Sequence, residues 1–176
     1  MGAFDELVRA GRVLAVGASN MVTWRVERAR AVAAAGGQAP YTALQLRHTY
    51  LRPRPGVRPA AHVQQYVTDD TLDYLGEQPD VTLWAYSTLL EGAYTRPDRA
   101  IGQEYDHPGT DARLAVLAKV AAELGATANQ VVLAWLMAGG VVPIVGVSTP
   151  GQLDEALGAT RLVLDGGVRA RLDEPR

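Results

Sequence analysis

The residues best suited to chemistry lie where an apolar run meets a helix start signal, in the sequence VVPIVGVSTPGQL at 141–153. The run is rich in β-branched residues and has no polar alternation, which is typical of a strand buried on both faces. Thr149 is suited to cap a helix, Pro150 to occupy its first position, and Gln152 to complete a capping box. A glycine turn and a helix N-terminus beside a strand's carboxyl end often bind phosphates and nucleotides. The alternative is an ordinary, well-capped turn, and this segment alone does not decide between the two.

A second segment, at 13–20, ends in the same order of residue types as the first. The apolar residues 13–16 (VLAV) lead into Gly17, so that VGASN at 16–20 matches VGVST at 145–149 in its order of residue types. The chain therefore contains the same transition from strand to glycine to hydroxyl twice.

Length and composition describe an ordinary soluble protein. The chain has 176 residues, 48% hydrophobic residues and a net charge of −2, which favours a single domain with a real core and no nucleic-acid partner. It has no cysteine, so disulfides and thiolate metal sites are excluded, and we assign no metal site. The start shows no signal-peptide pattern, and the uncharged stretch 131–147 is interrupted by glycines and a proline and is shorter than the ~20 residues of a membrane span. We therefore expect a cytoplasmic protein with no membrane contact.

Strand and helix signals alternate along the chain. Strands are predicted at 13–16, 42–46, 81–86 and 141–145, in the element order αβαβαβααβαα. Helices are predicted to begin at Thr68, Thr110, Thr127 and Asp165, each suited to be an N-cap. Such alternation predicts an α/β fold with a parallel sheet and right-handed crossovers. An open four-stranded sheet and part of an eight-stranded barrel, which needs about 250 residues when complete, both fit this pattern.

Several segments, in the right order, resemble the aldo-keto reductase family. They are VGASN followed by Trp24, the AYS-x-L segment at 85–89, the run 121–159 and RARLDE at 169–174. QLRHTYLRPRPG at 45–56 and AYTRPDR at 93–99 are similar to bacterial members. The resemblance covers almost the whole chain and matches the fifth to eighth strands of the family's barrel. It implies that residues 1–176 are the C-terminal half of a (β/α)8 TIM barrel that carries the nicotinamide-cofactor site.

The resemblance implies specific roles at the nicotinamide end of the cofactor. Ser19, Asn20 and Gln45 are similar to the family's hydrogen-bonding partners of the nicotinamide carboxamide. Tyr86 corresponds to the aromatic residue on which the nicotinamide ring packs.

The same resemblance assigns the other end of the cofactor, which we expect to be NADP, bound weakly, with NAD as the alternative. Ser87 and Leu89 fall in the loop that covers the pyrophosphate. The residues that align with the family's adenosine and 2′-phosphate site are Gly146, Val147, Ser148, Thr149, Gln152 and Glu155. Ala156 stands where the family often has an asparagine, and no cation lies between Val147 and Thr160, where the family often has one. The preference for NADP over NAD is therefore open.

The family's catalytic tetrad is the larger departure. The aspartate, tyrosine, lysine and histidine come from the first four strands of the family's barrel, and we assign no catalytic residue here. The only lysine, Lys119, is predicted on the polar side of a helix. His48 matches a histidine of the family at a strand end, and His62 and His107 are expected in surface loops. We expect the chain alone to be inactive, because a missing proton donor typically costs 10²–10⁴-fold in rate.

Three functions remain open from the sequence. The first is a truncated aldo-keto reductase whose partner is a missing N-terminal half, and the second is a nucleotide-binding module without redox chemistry. The third is a degenerate remnant that binds nothing. Four strands leave two open edges and one uncovered face, which favours self-association.

Overall fold

The computed structural model describes residues 1–57 and 64–174, so that His62, which we expected in a surface loop, lies outside the described residues. Within this part, the elements follow the order expected from the sequence. The strands are β1 (Val16–Ser19), β2 (Tyr41–Arg47), β3 (Thr82–Tyr86) and β4 (Val142–Pro143). The α-helices are α1 (Gly2–Arg9), α2 (Thr23–Ala35), α3 (Asp69–Glu77), α4 (Pro108–Leu124), α5 (Ala128–Ala138), α6 (Pro150–Gly158) and α7 (Gly166–Asp173).

The four strands are parallel and form one sheet in the order β1-β2-β3-β4, which confirms the α/β prediction. The chain divides into two compact units. The first comprises Met1–Arg47 and the described part of 58–84, and the second comprises His48–Val57 and the described residues from Ala85 onward.

The strands β1 and β2 approach each other closely in the first unit. Ser19 lies opposite Gln45 and Gly17 opposite Ala43, with an irregularity in the register between Val16 and Gly17. A Cβ at Gly17 would lie 2.9 Å from the carbonyl oxygen of Ala43 and 3.0 Å from its Cβ. Only glycine fits here without a shift of the backbone.

The sheet residues of the first unit alternate between a buried and an open face. Ala18, Leu44 and Leu83 are buried, and α2 packs on β2 and α3. The intervening Ser19 is exposed, and Trp84 is 41% exposed. This alternation follows from the period of two along a strand, and among the described residues of this unit only one face is covered.

The second unit has a helical core with a buried arginine at its centre. In this unit α5 packs on α4, α6 and β4, and α4 packs on α7. Arg113 of α4 is only 2% exposed, and its Nε donates a hydrogen bond to the Tyr50 carbonyl at 2.9 Å. The guanidinium carbon lies 4.2 Å from the centre of the Tyr50 ring. A cation–π contact and a backbone acceptor thus compensate part of the cost of burying this charge.

Two strand predictions need correction. The first strand was expected at 13–16 but begins at Val16, and Leu14 is 98% exposed. Its partner β2 begins at Tyr41, opposite Val16, and therefore offers no ladder to earlier residues. The strand expected at 141–145 is only two residues long. Its Pro143 has no N–H to donate, and Ile144 is exposed, so the segment is not buried on both faces.

The helix starts agree with the sequence except at α4. Thr68 and Asp165 cap α3 and α7, as predicted. The capping box of α5 is present, because the Thr127 hydroxyl accepts from the Gln130 N–H at 3.2 Å and the Gln130 side chain accepts in return at 3.1 Å. Helix α4 begins at Pro108, two residues before the expected cap Thr110. The Thr110 hydroxyl instead donates to the carbonyl of Tyr105.

Among the described residues, no single helix is long and apolar enough to cross a membrane. Helices α4 and α5 reach that length and apolarity only when they are taken together, and the chain bends by 97° between them.

Candidate cofactor site

The structure brings Ser19, Asn20 and Gln45 together at the carboxyl ends of β1 and β2. The Ser19 hydroxyl donates to Gln45 Oε1 at 2.8 Å, and Asn20 Nδ2 donates to the Ser19 oxygen at 3.2 Å. Register explains this contact, because Ser19 and Gln45 are directly opposite in parallel strands. With Oε1 engaged, the Gln45 amide group still has its NH₂ to offer as a donor.

Asn20, directly after β1, has a backbone conformation that few residue types adopt easily. Its φ is +56°, in the left-handed region that asparagine tolerates better than most residues. Its backbone N–H donates to the Gln45 carbonyl at 2.9 Å, and its Oδ1 accepts from the Gln65 N–H at 3.2 Å. The side-chain amide is therefore held in place beside Ser19.

Tyr86, Ser87 and Leu89 lie in the second unit, at the end of β3 and in the loop that follows. The Tyr86 carbonyl accepts from the His48 N–H at 3.2 Å. Ser87 has a φ of +54°, and Leu90 and Glu91 share this left-handed conformation at +49° and +58°. Such conformations in non-glycine residues cost roughly 1–3 kcal/mol each and tend to occur at functional sites.

The remaining predicted residues surround the N-terminus of α6. Thr149 caps this helix, since its Oγ1 accepts from the Gln152 N–H at 3.3 Å. The capping box predicted with Gln152 does not form, because Gln152 Oε1 accepts from the Ser148 N–H at 2.6 Å instead of the Thr149 N–H. Gly146 is exposed, and a Cβ there would meet no atom within 4 Å. The turn between β4 and α6 therefore has open space beside its backbone.

Glu155 of α6 is held by the start of α5. The Thr127 hydroxyl donates to Glu155 Oε1 at 2.6 Å, and Asn129 Nδ2 lies 3.4 and 3.5 Å from the two carboxylate oxygens. Gln130 Nε2 donates to the Glu155 carbonyl at 3.0 Å. These contacts orient a carboxylate, which accepts hydrogen bonds only.

The backbone of His48 is hydrogen-bonded to that of Tyr86, and the His48 side chain is neutral near pH 7. Burial lowers the pKa of His48 to about 4, and the cations of Arg52 and Arg113 push it in the same direction. Its ring centre lies 5.8 Å from that of Trp135. His48 is therefore not a proton donor at neutral pH.

Lys119 and His107 lie on and just before helix α4. Lys119 is exposed on α4. His107 Nε2 lies 2.8 Å from the Arg52 carbonyl, just before α4 begins. Among residues 1–57 and 64–174, no group of three or more His, Asp or Glu residues is arranged to hold a metal ion.

Sequence reasoning missed Thr127 and Asn129 as supports of Glu155. Thr127 was recognised only as a helix cap, and nothing in the sequence indicates that its hydroxyl reaches a residue 28 positions later. The grouping of Arg113, Tyr50 and Trp135 around His48 was also missed, because arginine in a helix is normally a surface residue.

Comparison with known proteins places these residues in context. The family profile described as "Aldo/keto reductase family" matches residues 1–175. Versiconal hemiacetal acetate reductase from Aspergillus parasiticus is 24% identical over 194 residues, covering 99% of this chain and 52% of that protein.

Two solved structures share the fold. A thermostable aldo-keto reductase crystallised with the inhibitor epalrestat is 26% identical, with a TM-score of 0.70 over 99% of this chain and 53% of that one. A variant of Gox0644 crystallised with NADPH is 20% identical, with a TM-score of 0.67 over 98% and 51% of the two chains. The chain thus spans about half the length of each of these relatives, and its four strands correspond to half of an aldo-keto reductase TIM barrel. With a profile match over nearly all of its residues, this chain belongs to the aldo/keto reductase family.

Proposed function

We propose that this chain binds a nicotinamide dinucleotide and provides the cofactor-binding half of a carbonyl reductase. The observation that carries the proposal is the hydrogen-bonded group of Ser19, Asn20 and Gln45 at the ends of β1 and β2. It offers both donors and acceptors, which is what a carboxamide requires. A bound NADPH in the structure of Gox0644, which shares the fold, supports a cofactor of this type.

The other assigned residues contribute to the same function. In this proposal the Tyr86 ring packs against the nicotinamide, while Ser87 and Leu89 cover the pyrophosphate. The adenosine lies beside Gly146, Val147 and the first turn of α6, where the structure leaves open space at Gly146. The nicotinamide, when bound, would supply the hydride, and this chain would hold and orient it.

We also propose that the chain alone does not reduce carbonyls. His48 is neutral at pH 7, and Lys119 is exposed on α4. Neither residue is therefore suited to be the proton donor of a carbonyl reduction. The acid would then come from the half of the barrel that the relatives possess beyond the matched region. On this proposal the chain alone acts as a nucleotide-binding module, and a degenerate remnant is the outcome if no nucleotide binds.

Titration by NMR tests the proposal. We expect NAD or NADP to bind with a Kd of about 1 mM, equivalent to ~4 kcal/mol, because only part of a cofactor site is present. Gln45→Ala removes a hydrogen bond of about 1 kcal/mol and should weaken binding about fivefold. Thr82→Ala, at an exposed position of β3, is the matched control and should bind like the unmodified chain. Equal affinity of Gln45→Ala and the control, or no shift with either nucleotide, would refute the proposed site.

A further inference from the structure

We propose that a groove along α2, in the first unit, binds a small aromatic carboxylate. The groove has a volume of about 570 Å³, and pockets that bind small molecules typically measure ~300–1,000 Å³. Five residues of α2 line it together with Met1 and Tyr41. These five residues are Trp24, Arg25, Arg28, Ala29 and Val32.

The groove follows a side of α2 that is not packed on the sheet. Trp24, Arg28 and Val32 are spaced by four positions, which places them one above the other on a helix. The buried residues of α2 are Val26 and Ala33, which belong to another side of the helix. Trp24 is 60% exposed and Val32 is 57% exposed. Neighbouring exposed apolar groups with polar residues around them often mark a binding site.

Two cations lie on this same side of α2. Within residues 1–57 and 64–174, Arg28 makes neither a hydrogen bond nor an ion pair. The guanidinium carbon of Arg25 lies 5.2 Å from the centre of the Trp24 ring, which is a cation–π contact and leaves the charge uncompensated. Arg30 of the same helix differs, because its Nη2 lies 2.8 Å from a carboxylate oxygen of Asp80. The groove therefore has two arginines that can pair with an added anion.

The lining of the groove contains no acidic residue that would compete for these cations. The only acid of α2 is Glu27, and its Oε2 accepts from the Tyr74 hydroxyl at 2.9 Å. Asp5 of α1 is also engaged, since its Oδ2 accepts from Arg9 Nε at 2.6 Å.

The combination of cations and aromatic surface defines the class of ligand. A guanidinium group binds a carboxylate through two parallel N–H···O bonds, and it also stacks on aromatic rings. Trp24, Val32 and Tyr41 provide apolar surface for the body of such a ligand. A hydrophilic anion would leave Trp24 and Val32 uncovered, whereas a neutral aromatic compound would leave Arg28 without a partner. A planar aromatic ring that carries one carboxylate matches both parts of the groove.

The test is an NMR titration of the full chain with 2-naphthoate and with its neutral analogue 2-naphthamide, followed by the indole N–H signals. We expect the Trp24 signal to shift, and the Trp135 signal, whose N–H donates to Asp173 at 2.7 Å, to stay in place. The carboxylate should bind at least tenfold more tightly than the amide, because only the carboxylate can pair with the arginines.

Three variants assign the binding to the groove. Arg28→Gln should weaken naphthoate binding about fivefold and leave naphthamide binding unchanged, because it removes one of the two cations. Trp24→Ala should weaken the binding of both compounds, because it removes the aromatic surface. Arg12→Gln removes the same charge from an exposed position outside the groove lining, and this control should bind both compounds like the unmodified chain.

Four results would overturn the proposal. They are equal affinity for the acid and the amide, an unshifted Trp24 signal at saturating naphthoate, unchanged binding in Trp24→Ala, and equal losses in Arg28→Gln and Arg12→Gln. None of these results bears on the nicotinamide site, because titration with NAD or NADP and the Gln45→Ala variant test that site separately.

Discussion

His48 should make the stability of this protein depend on pH in the weakly acidic range. Its pKa is about 4 in the folded chain, against an ordinary value of 6.5 that we take for the unfolded chain. Above about pH 6.5 the imidazole is neutral in both states and has no effect. As the pH falls from 6.5 toward 4, the unfolded chain binds a proton that the folded chain does not, so the free energy of unfolding decreases.

The size of the effect follows from these two pKa values. The full difference corresponds to about 3 kcal/mol, reached below pH 4, and about 2 kcal/mol is already lost at pH 5. Measurement at pH 5 keeps the effect separate from carboxylates whose folded pKa is lowered, since they titrate mainly below their ordinary values of 3.8 or 4.5. These carboxylates are Asp5, Asp80, Asp98 and Glu123.

The assay is urea unfolding at pH 7.5 and pH 5, with the His48 ring titrated separately by NMR. His48→Phe keeps an aromatic ring beside Trp135 and removes the titrating group, so it should lose about 2 kcal/mol less than the unmodified chain between the two pH values. Thr82→Ala, a change at an exposed position that does not titrate, is the control and should retain the full dependence. The reasoning is refuted if the His48 ring titrates near pH 6.5, or if His48→Phe shows the same loss as the unmodified chain.

The remaining predictions concern activity and association. With NADH or NADPH and an aldehyde, the purified chain should oxidise no cofactor above background, because we propose that the proton donor comes from outside this chain. Steady oxidation that Tyr86→Ala abolishes would contradict this. In light scattering at micromolar concentration the chain should be dimeric or larger, because Leu14 and Trp84 are exposed in the first unit, where the described residues cover only one face of the sheet. Leu14→Glu should reduce the mass, whereas Val163→Glu, at a position that is 82% exposed in the other unit, should not. A monodisperse monomer of the unmodified chain would contradict the association prediction.

The order of elements and most helix starts could be predicted because these signals are local. Thr127 and Asp165 lie within three residues of the N–H groups they cap, so the sequence alone contains the information. The start of β1 could not be predicted in this way. Val13 and Val16 have the same β propensity, and only the point at which β2 begins decides which of them is paired.

Contacts between residues that are far apart in the sequence could be predicted only in part. The parallel fold places the ends of β1 and β2 at one edge, but the facing of Ser19 and Gln45 also requires the register, which no local signal specifies. The burial of Arg113 beneath Tyr50 joins residues 63 positions apart. It depends on a cation–π contact and a carbonyl acceptor that exist only once the helices have packed.

The narrow gap at Gly17 bears on how this site could change by mutation. Gly17 lies two positions before Ser19, on a strand whose backbone is already within contact distance of Ala43. A methyl group there would push the strands apart by a few tenths of an ångström, and the 2.8 Å bond between Ser19 and Gln45 would stretch with them. If Ser19 and Gln45 bind the cofactor as proposed, a larger side chain at position 17 would therefore weaken binding through the interstrand distance alone.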